Sequence, residues 1–358
     1  MKTADNSKMG QDFFKYLPST IVVNILSRLP TRAAMECKCV CKPWLGLLAT
    51  PEFVNAHMSR SAPGIAVEMC SPHSCKVIEF VDGIELNFDE KHGSAAIFKF
   101  DEEHRWEVTF NFRLHFDGFI ISSANGLIFL NEFGTDGDDL ILWNPITRDC
   151  INLPRPPQTS PKARNGMDNF GFGVSRTAGL YKVARIFAET PRRREGFKNA
   201  CQVYTVGTGS WRNVPFGKPL RSLCVVRDCL CVSDISHFGS DISHYGSDNS
   251  DDEGGTPQDG HVIIWSMKGD DHSWTKIFVI HEVERIAGIC HVWPIRIFEN
   301  GDALMEWDHG MIFYYSNKTG NVYYEIVSLE GRRDPSTIMY APSFVSLKSF
   351  AMENVSSF

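Results

Sequence analysis

The chain has 358 residues, of which 43% are hydrophobic and 22% are charged, and its formal net charge at pH 7 is −7. This length suits a small module joined to one large domain or to two medium ones. The acidic balance argues against broad nucleic-acid binding, and no apolar run reaches the roughly 18 residues of a membrane span, so we expect neither a nucleic-acid nor a membrane partner. The polar first residues lack the apolar core of a signal peptide, so we expect the protein in the nucleus, the cytoplasm or both.

Residues 11–60 carry the pattern of a compact helical module, and we expect residues 1–10 before it to be disordered. Pro18 fits the first turn of a helix, and Pro30 ends that helix. The apolar residues between them recur at three- and four-residue spacing and are Ile21, Val22, Ile25, Leu26 and Leu29. Thr31 caps a second helix that runs to about Val40, and Pro43 opens a third. The module holds more apolar residues than so small a unit can bury, which predicts a docking face.

The charge of this module differs from that of the whole chain. Residues 11–60 contain six basic and three acidic residues, a net charge of +3, so the rest of the chain is more acidic than the average. A basic module suits an acidic partner.

These residues resemble an F-box. The matching motifs are Leu17-Pro18, residues 25–30 (ILSRLP), residues 38–42 (KCVCK) followed by Trp44, and then Pro51 and Phe53. The chain departs from the pattern at Ser19 and Thr20, where many members have an acid, and at Ala34 and Cys37, where many have bulky residues. The resemblance implies docking on the Skp adaptor of an SCF-type ubiquitin ligase, and through it on the cullin scaffold. The implied contact residues are Leu17, Pro18, Ile25, Leu26, Leu29, Pro30, Val40, Cys41 and Trp44.

From about residue 61 the pattern changes to short strands of β-branched and aromatic residues separated by Gly, Asn, Asp and Pro turns. The first predicted strand is 65–69 and the last is 343–347. So many strands without helices must close into a propeller or a large sandwich to cover their edges. The sequence thus predicts an α+β chain by domain, with an all-α module followed by an all-β, propeller-like domain over residues 61–350 and a tail over 351–358.

Imperfect internal repeats favour the propeller. Residues 203–214 and 264–280 share the order strand, polar turn, Ser-Trp, strand, and residues 311–326 form a looser copy. A tryptophan entering the second strand of a hairpin can wedge between neighbouring sheets. Repetition at intervals of tens of residues is typical of radial repeats.

A second resemblance covers most of residues 65–347. The motifs SANGLIFL (123–130), ILWNPITRDCINLP (141–154), FGFGVSRTAGLYKVARI (170–186), two Ser-Trp hairpins and ENGDALM (299–305) follow one another as in plant F-box-associated domains. Those domains are similar to kelch-type propellers, and their variable loops recruit the protein to be ubiquitinated. The resemblance implies a non-catalytic substrate-recognition subunit of an SCF ubiquitin ligase, which binds an unidentified target for proteasomal degradation.

One segment differs from the rest of the large domain. DISHFGS at 234–240 is followed by DISHYGS at 241–247 and by an acidic run, which predicts a mobile, solvated loop over residues 234–258. Ser247 and Ser250 precede acids, as an acid-directed kinase prefers, so both are candidate phosphorylation sites. Arg192, Arg193 and Arg194 are interpreted as solvated charge or as a target-facing patch.

The sequence indicates no enzyme. The eleven cysteines are interpreted as reduced, mostly structural thiols, and Cys37, Cys39 and Cys41 are expected on different faces of a helix, so we expect no metal and no cofactor. Two rivals stay open: a carbohydrate-binding or catalytic propeller, which needs convergent polar groups in a central pocket, and a stand-alone interaction protein that does not work through the ligase.

Overall fold

The structure is a computed structural model that describes residues 16–61, 64–70, 73–79, 108–113, 118–132, 139–157, 169–175, 178–189, 198–214, 222–226, 229–236, 261–268, 273–280, 292–298, 300–307, 311–325, 337–350 and 355–357. The described chain begins with a helical module and continues as antiparallel sheets. Within these residues, no helix is long and apolar enough to cross a membrane.

The helical module consists of α1 (Ser19–Leu26), α2 (Thr31–Cys37), α3 (Lys42–Leu47) and α4 (Pro51–Met58). Prolines in the first helical turn or directly before it start all four helices, because proline has its φ set for a helix and lacks an N–H that would need a partner there. The second helix ends at Cys37 and is therefore shorter than predicted.

The two outermost helices of the module, α1 and α4, pack against each other. At the start of α4, the Thr50 hydroxyl caps the helix by accepting a hydrogen bond from the Phe53 amide at 3.3 Å. Just after its end, the guanidinium of Arg60 donates to Asn24 Oδ1 on α1 at 3.0 Å and to the hydroxyl of Ser27, the residue directly after α1. The bonds from Arg60 hold the end of α4 against the end of α1.

Strands form the rest of the described chain. Their bounds are β1 (Gly64–Cys70), β2 (His73–Glu79), β3 (Val108–Arg113), β4 (Gly118–Ala124), β5 (Leu127–Glu132), β6 (Asp139–Asn144), β7 (Asp149–Leu153), β8 (Asn169–Val174), β9 (Tyr181–Glu189), β10 (Lys198–Thr205), β11 (Trp211–Val214), β12 (Ser222–Val226), β13 (Cys229–Ser236), β14 (His261–Lys268), β15 (Ser273–Ile280), β16 (Val292–Ile297), β17 (Ala303–Trp307), β18 (Met311–Tyr315), β19 (Val322–Glu325), β20 (Thr337–Tyr340) and β21 (Val355–Ser357).

The described strands make five antiparallel sheets in chain order. Their orders are β20-β1-β2-β3, β4-β5-β6-β7 with β21 added beside β7, β8-β9-β10-β11, β12-β13-β14-β15 and β16-β17-β18-β19. None of these sheets is itself closed into a barrel. The edge strands β20, β4, β8, β12 and β16 contact one another in that order, and β16 contacts β20 again. This cyclic order is that of a propeller-like domain, as predicted.

The first sheet joins the two ends of the large domain. The late strand β20 pairs with the early strand β1, with Ile65 opposite Met339 and Ala66 opposite Ile338. A pairing between such distant parts of the chain covers what would otherwise be two exposed edges.

The hydrophobic core lies between successive sheets. One cluster joins Ala66 and Val77 of the first sheet to Ile128 and Trp143 of the second, and similar clusters fill the following gaps. Between the second and third sheets, Trp211 packs on Tyr204 with ring centroids 5.4 Å apart, and its indole N–H donates to the Pro154 carbonyl at 2.8 Å. The predicted wedging of a hairpin tryptophan between two sheets is confirmed at this position.

Several predictions about the large domain are wrong in detail. Residues 343–347 do not form a strand and are irregular up to a 3₁₀ turn at Leu347–Ser349. The side-chain amide of Asn144 donates hydrogen bonds to the carbonyls of Ser343 and Val345, so these carbonyls do not pair with another strand. The predicted tail contributes a strand, β21, which pairs with β7. The glycine-rich β8 and the short β20 were not predicted as strands.

The predicted mobile loop also starts too early. Asp234, Ile235 and Ser236 belong to β13 and pair with Ile263, Val262 and His261 of β14. The prediction for these three residues is therefore wrong, because they satisfy their backbone groups in a ladder. Residues 237–258, including Ser247 and Ser250, lie outside the described residues, as do Arg192, Arg193 and Arg194.

Candidate functional site

Exposed apolar side chains are concentrated in the helical module. Among the described residues, eight large apolar side chains are exposed, and six of these lie between residues 16 and 45. We call five of them the outer face: Leu17, Ile21, Ile25, Val40 and Leu45, of which Val40 is the most exposed at 64%. Apolar groups gathered on one small module mark an interaction surface more strongly than the same groups scattered singly.

Other apolar residues of the same module are buried. We call this set the inner face: Val22, Leu26, Ala34, Leu48 and Phe53, each no more than 4% exposed. It shares one hydrophobic cluster with Ile146 and Phe344 of the large domain. The helical module and the propeller-like domain are therefore joined by a continuous core.

Phe344 is the central side chain of this junction. Its ring packs edge-on against Phe53, with centroids 5.4 Å apart, and against His57 at 5.1 Å. The ammonium group of Lys38 lies 4.6 Å from the centre of the same ring, which is the geometry of a cation–π contact.

This packing shifts the pKa of two titratable groups of the module. Burial lowers the pKa of Lys38, and the nearby carboxylate of Asp149 opposes that shift. Burial also lowers the pKa of His57 below its ordinary value of 6.5, opposed by a hydrogen bond to the Leu29 backbone. Both shifts follow from removing a cation from water.

Asn144 holds the segment that carries Phe344. Its side-chain amide donates to the carbonyls of Ser343, at 3.1 Å, and Val345, at 2.6 Å. Its side-chain oxygen accepts from the Ile146 amide at 2.9 Å, so the turn predicted for residues 144–147 is confirmed. The two hydrogen bonds from the Asn144 amide to the carbonyls of Ser343 and Val345, which we call the clamp, were not predicted, because nothing in the local Asn-Pro motif points to residue 343.

A second contact fixes the same segment. The Ser343 hydroxyl donates to the Asn125 carbonyl at 2.6 Å. Gly126, next to it, has a φ of +78°, and a Cβ there would lie 2.2 Å from the Ser343 hydroxyl. Glycine is needed at this position both for the backbone conformation and for the close approach.

The predicted adaptor contacts divide into three groups. Leu17, Pro18, Ile25, Pro30, Val40 and Cys41 are exposed. Leu29 and Trp44 are half-buried and pack against the inner cluster. Leu26 is only 2% exposed, so its assignment to the docking surface is wrong: it lies one position past Ile25 and points into the junction.

Ile21 and Leu45 were missing from the predicted contact set, although both are exposed on the same module. Ile21 lies one helical turn before Ile25, and this spacing was the available signal. Ala34, a departure from the F-box pattern, is fully buried in the inner cluster, where a small residue allows close packing.

The cysteines of the module differ from those of the sheets. Cys39 and Cys41 are exposed and lie between α2 and α3, so the prediction that they belong to one helix is wrong. Cys37 is half-buried, and burial followed by the charge of Glu36 raises its thiol pKa. Among the described residues, no group of three or more His, Cys, Asp or Glu side chains is placed to hold a metal ion.

The fold and the site define a two-part molecule, in which an all-α module with an exposed apolar face is fixed to an all-β, propeller-like domain. Comparison with family models agrees with both parts. The F-box domain model matches residues 14–55, and the F-box associated beta propeller domain model matches residues 88–245. The chain therefore carries an F-box domain followed by an F-box associated domain.

Several proteins named as F-box proteins are similar to the chain. The chain is 24% identical over 229 residues to F-box protein At1g52495 of Arabidopsis thaliana, an alignment covering 62% of this chain and 49% of the relative. It is 25% identical over 205 residues to F-box protein At5g65850 of the same plant, covering 57% and 45%. Four further Arabidopsis thaliana proteins match at 25% to 28% identity. The matched part of the chain spans about half the length of these relatives.

Proposed function

We propose that this protein is the target-recognition subunit of an SCF-type ubiquitin ligase. The F-box would dock on a Skp-type adaptor, and through it on the cullin scaffold, while the propeller-like domain holds a target protein for ubiquitination. The chain then supplies no chemical group to the reaction. It acts by holding the target close to the ubiquitin-conjugating enzyme, so that a bimolecular encounter becomes an intramolecular one.

The observation that carries this proposal is the division of the helical module into two apolar faces. The inner face is covered by Ile146 and Phe344, so it is used for folding. The outer face, with Ile25 41% and Val40 64% exposed, has no such cover within the described chain. F-box domains in general bind Skp-type adaptors, and these exposed residues overlap the contact set that the resemblance implies.

The continuous core adds a mechanical argument. Because the inner face and the large domain share Phe344, the two parts keep a defined relative position instead of swinging on a linker. A rigid subunit sets a fixed distance from the adaptor to the bound target, which raises the effective concentration of target lysines at the ligase.

The topology favours the far end of the sheets for target binding. In a four-stranded antiparallel sheet, the first and third turns lie at one end, and the other connections leave from the opposite end. The helical module contacts the β6–β7 turn through Ile146. At the opposite end of this sheet Phe119 pairs with Asn131, and its side chain is 58% exposed. We propose that the target contacts this end.

The test of the ligase role is a binding experiment with purified Skp-type adaptor and the full chain. The variant Ile25→Asp with Val40→Asp places two charges on the outer face without touching the inner one. We expect its affinity for the adaptor to fall at least about tenfold, because each charge loses water on docking without gaining a partner. Circular dichroism should show unchanged folding.

The matched control is Leu180→Asp. Leu180 is an exposed apolar residue, 48% exposed, but it lies in the large domain. Its substitution should leave adaptor binding unchanged. If the native chain binds none of several adaptor paralogues, the ligase proposal is overturned, and a stand-alone interaction protein becomes the better interpretation.

The proposed target end has its own test. Proteins captured by the native chain but lost with Phe119→Asp, and retained with Leu180→Asp, are candidate targets. A true target should also accumulate in cells that express the outer-face double variant, because recognition without docking cannot lead to ubiquitination.

A further inference from the structure

The thiols whose exposure the structure describes are buried in the sheets, half-buried at Cys37, or exposed between α2 and α3. Cys75, Cys150, Cys201 and Cys231 lie in the sheets and are at most 2% exposed. Cys39 and Cys41, by contrast, are both exposed, and neither forms a disulfide. Among the thiols whose exposure is described, the two exposed ones are therefore only two residues apart.

These thiols also lie inside the candidate docking surface. Val40, the most exposed residue of the outer face, stands between them. Cys41 directly precedes α3, and its side chain makes no capping hydrogen bond, so the sulfur is not engaged in holding that helix. Lys42 follows it and is exposed as well.

We infer that Cys39 and Cys41 form an oxidant-sensitive modification site that controls docking of the F-box on its adaptor. This inference rests on the proposed function. The modifying reagent is a low-molecular-weight disulfide such as oxidised glutathione.

The chemistry is thiol–disulfide exchange. A thiolate of Cys39 or Cys41 attacks one sulfur of the small disulfide, a new S–S bond forms, and the disulfide that breaks releases one thiolate, which takes up a proton from water. If the second cysteine then attacks the mixed disulfide, the small thiol leaves and both protein thiols are oxidised. A reducing thiol reverses either product.

The position of Cys39 and Cys41 explains why they would be modified first and why their modification would weaken adaptor binding. Exchange requires that the attacking sulfur reach the reagent, which burial prevents for the four sheet cysteines. Burial also raises the pKa of Cys201 to about 11 and raises the pKa of Cys150, so little thiolate is present at either site near neutral pH. A tripeptide attached directly beside Val40 would cover this most exposed residue of the outer face and hinder its close contact with the adaptor.

The experiment uses the full chain and oxidised glutathione as the probe. Peptide mapping by mass spectrometry follows the adduct at each cysteine, and adaptor affinity is measured before and after treatment in the same sample. We expect adducts or a linked pair at Cys39 and Cys41 well before any at Cys75, Cys150, Cys201 or Cys231. We expect the Kd for the adaptor to rise at least about tenfold and to return after reduction with dithiothreitol.

The double variant Cys39→Ser with Cys41→Ser is compared with itself, treated against untreated, so that its own basal affinity does not matter. Its ratio of the two Kd values should be near one. The control Cys37→Ser retains both exposed thiols and should show the full effect of the oxidant.

The two proposals fail differently. If the reduced native chain binds the adaptor and the modified chain binds equally well, the regulatory inference is overturned while the ligase role stands. If the reduced chain does not bind, the ligase role is overturned. Adducts that form on the four sheet cysteines as fast as on Cys39 and Cys41 overturn the modification site itself.

Discussion

The inner and outer faces of the F-box helices use the same residue types within one helix, yet they differ in what covers them. In α1, Val22 and Leu26 are 4% and 2% exposed, whereas Ile21 and Ile25 are 45% and 41% exposed. A helix that is apolar on most of its circumference needs more than one covering surface. Here the large domain covers one side, and the other is exposed in the part of the chain that the structure describes. Substitutions on the inner face should therefore change stability, and substitutions on the outer face should change binding.

The largest expected effect comes from Phe53→Ala. Phe53 is fully buried against Phe344 and His57, so its removal leaves a cavity at the junction. We expect a loss of about 3–5 kcal/mol in the free energy of unfolding, measured by urea denaturation followed by circular dichroism.

The outer-face counterpart is Leu45→Ala, at a position 51% exposed. It should change the free energy of unfolding by no more than about 0.5 kcal/mol. Similar losses for the two variants would show that the faces do not differ in the way the structure indicates.

Sequence reasoning found three of the four helices of the module, but it missed α4 and the division between the two faces. The three- and four-residue spacing placed Ile25 and Leu26 on one apolar face, and the resemblance to an F-box implied both as adaptor contacts. Only the position of Ile146 and Phe344 shows that Leu26 is covered. Periodicity identifies apolar positions, whereas the identity of the covering surface depends on contacts more than a hundred residues away in the chain.

In the sheets, too, strands with a local sequence pattern were predicted, whereas pairings between distant parts of the chain were not. Strands with a continuous apolar run, such as β5 and β6, were recognised, since their pattern is local. The pairing of β20 with β1 and of β21 with β7 depends on closure of the domain and leaves little trace in a four- or three-residue strand. The predicted strand at 343–347 failed because Asn144 holds its carbonyls.

Asn144→Ala tests whether that clamp supports the junction. The substitution leaves the Ser343 and Val345 carbonyls without their donor in a buried place. We expect a loss of about 1–3 kcal/mol in the free energy of unfolding. Amide hydrogen exchange should also become faster in α4, because the segment that carries Phe344 is less firmly placed.

Asn152→Ala is the matched control, because Asn152 is an exposed residue of the neighbouring strand β7. Its effect should stay within about 0.5 kcal/mol. If exchange in α4 is the same in the native chain and in Asn144→Ala, the clamp does not act on the helical module.

Acidification should weaken the junction through His57. Burial lowers the pKa of His57 in the folded chain below 6.5, so the unfolded chain binds a proton first as the pH falls. The contribution of this group to stability is therefore constant above pH 6.5 and is lost between pH 6.5 and the lower folded pKa. The slope for one such group cannot exceed about 1.4 kcal/mol per pH unit.

The measurement is a series of urea denaturations between pH 7.5 and pH 5. His57→Gln keeps a polar side chain but cannot take up a proton, so this variant should show a smaller decrease in stability than the native chain over the same interval. Equal decreases in both would assign the pH dependence to other groups.

The smallest expected effect concerns Lys38, whose ammonium group lies 4.6 Å from the centre of the Phe344 ring. Lys38→Met keeps an unbranched apolar stem and removes the charge. Two terms oppose each other: the cation–π attraction is lost, but so is the desolvation cost that lowers the Lys38 pKa. We expect a net loss of no more than about 1 kcal/mol in the free energy of unfolding.

The comparison is Arg32→Met on α2, where the guanidinium lies 3.7 Å from Glu36 and both side chains are exposed. Exposed pairs of this kind contribute about 0.3–0.5 kcal/mol, and added salt should reduce that contribution, whereas the contact of Lys38 with the ring should depend less on salt because it is half-buried. Equal salt dependence for the two variants would mean that water reaches Lys38 as freely as it reaches Arg32, and that the junction is held by its apolar side chains alone.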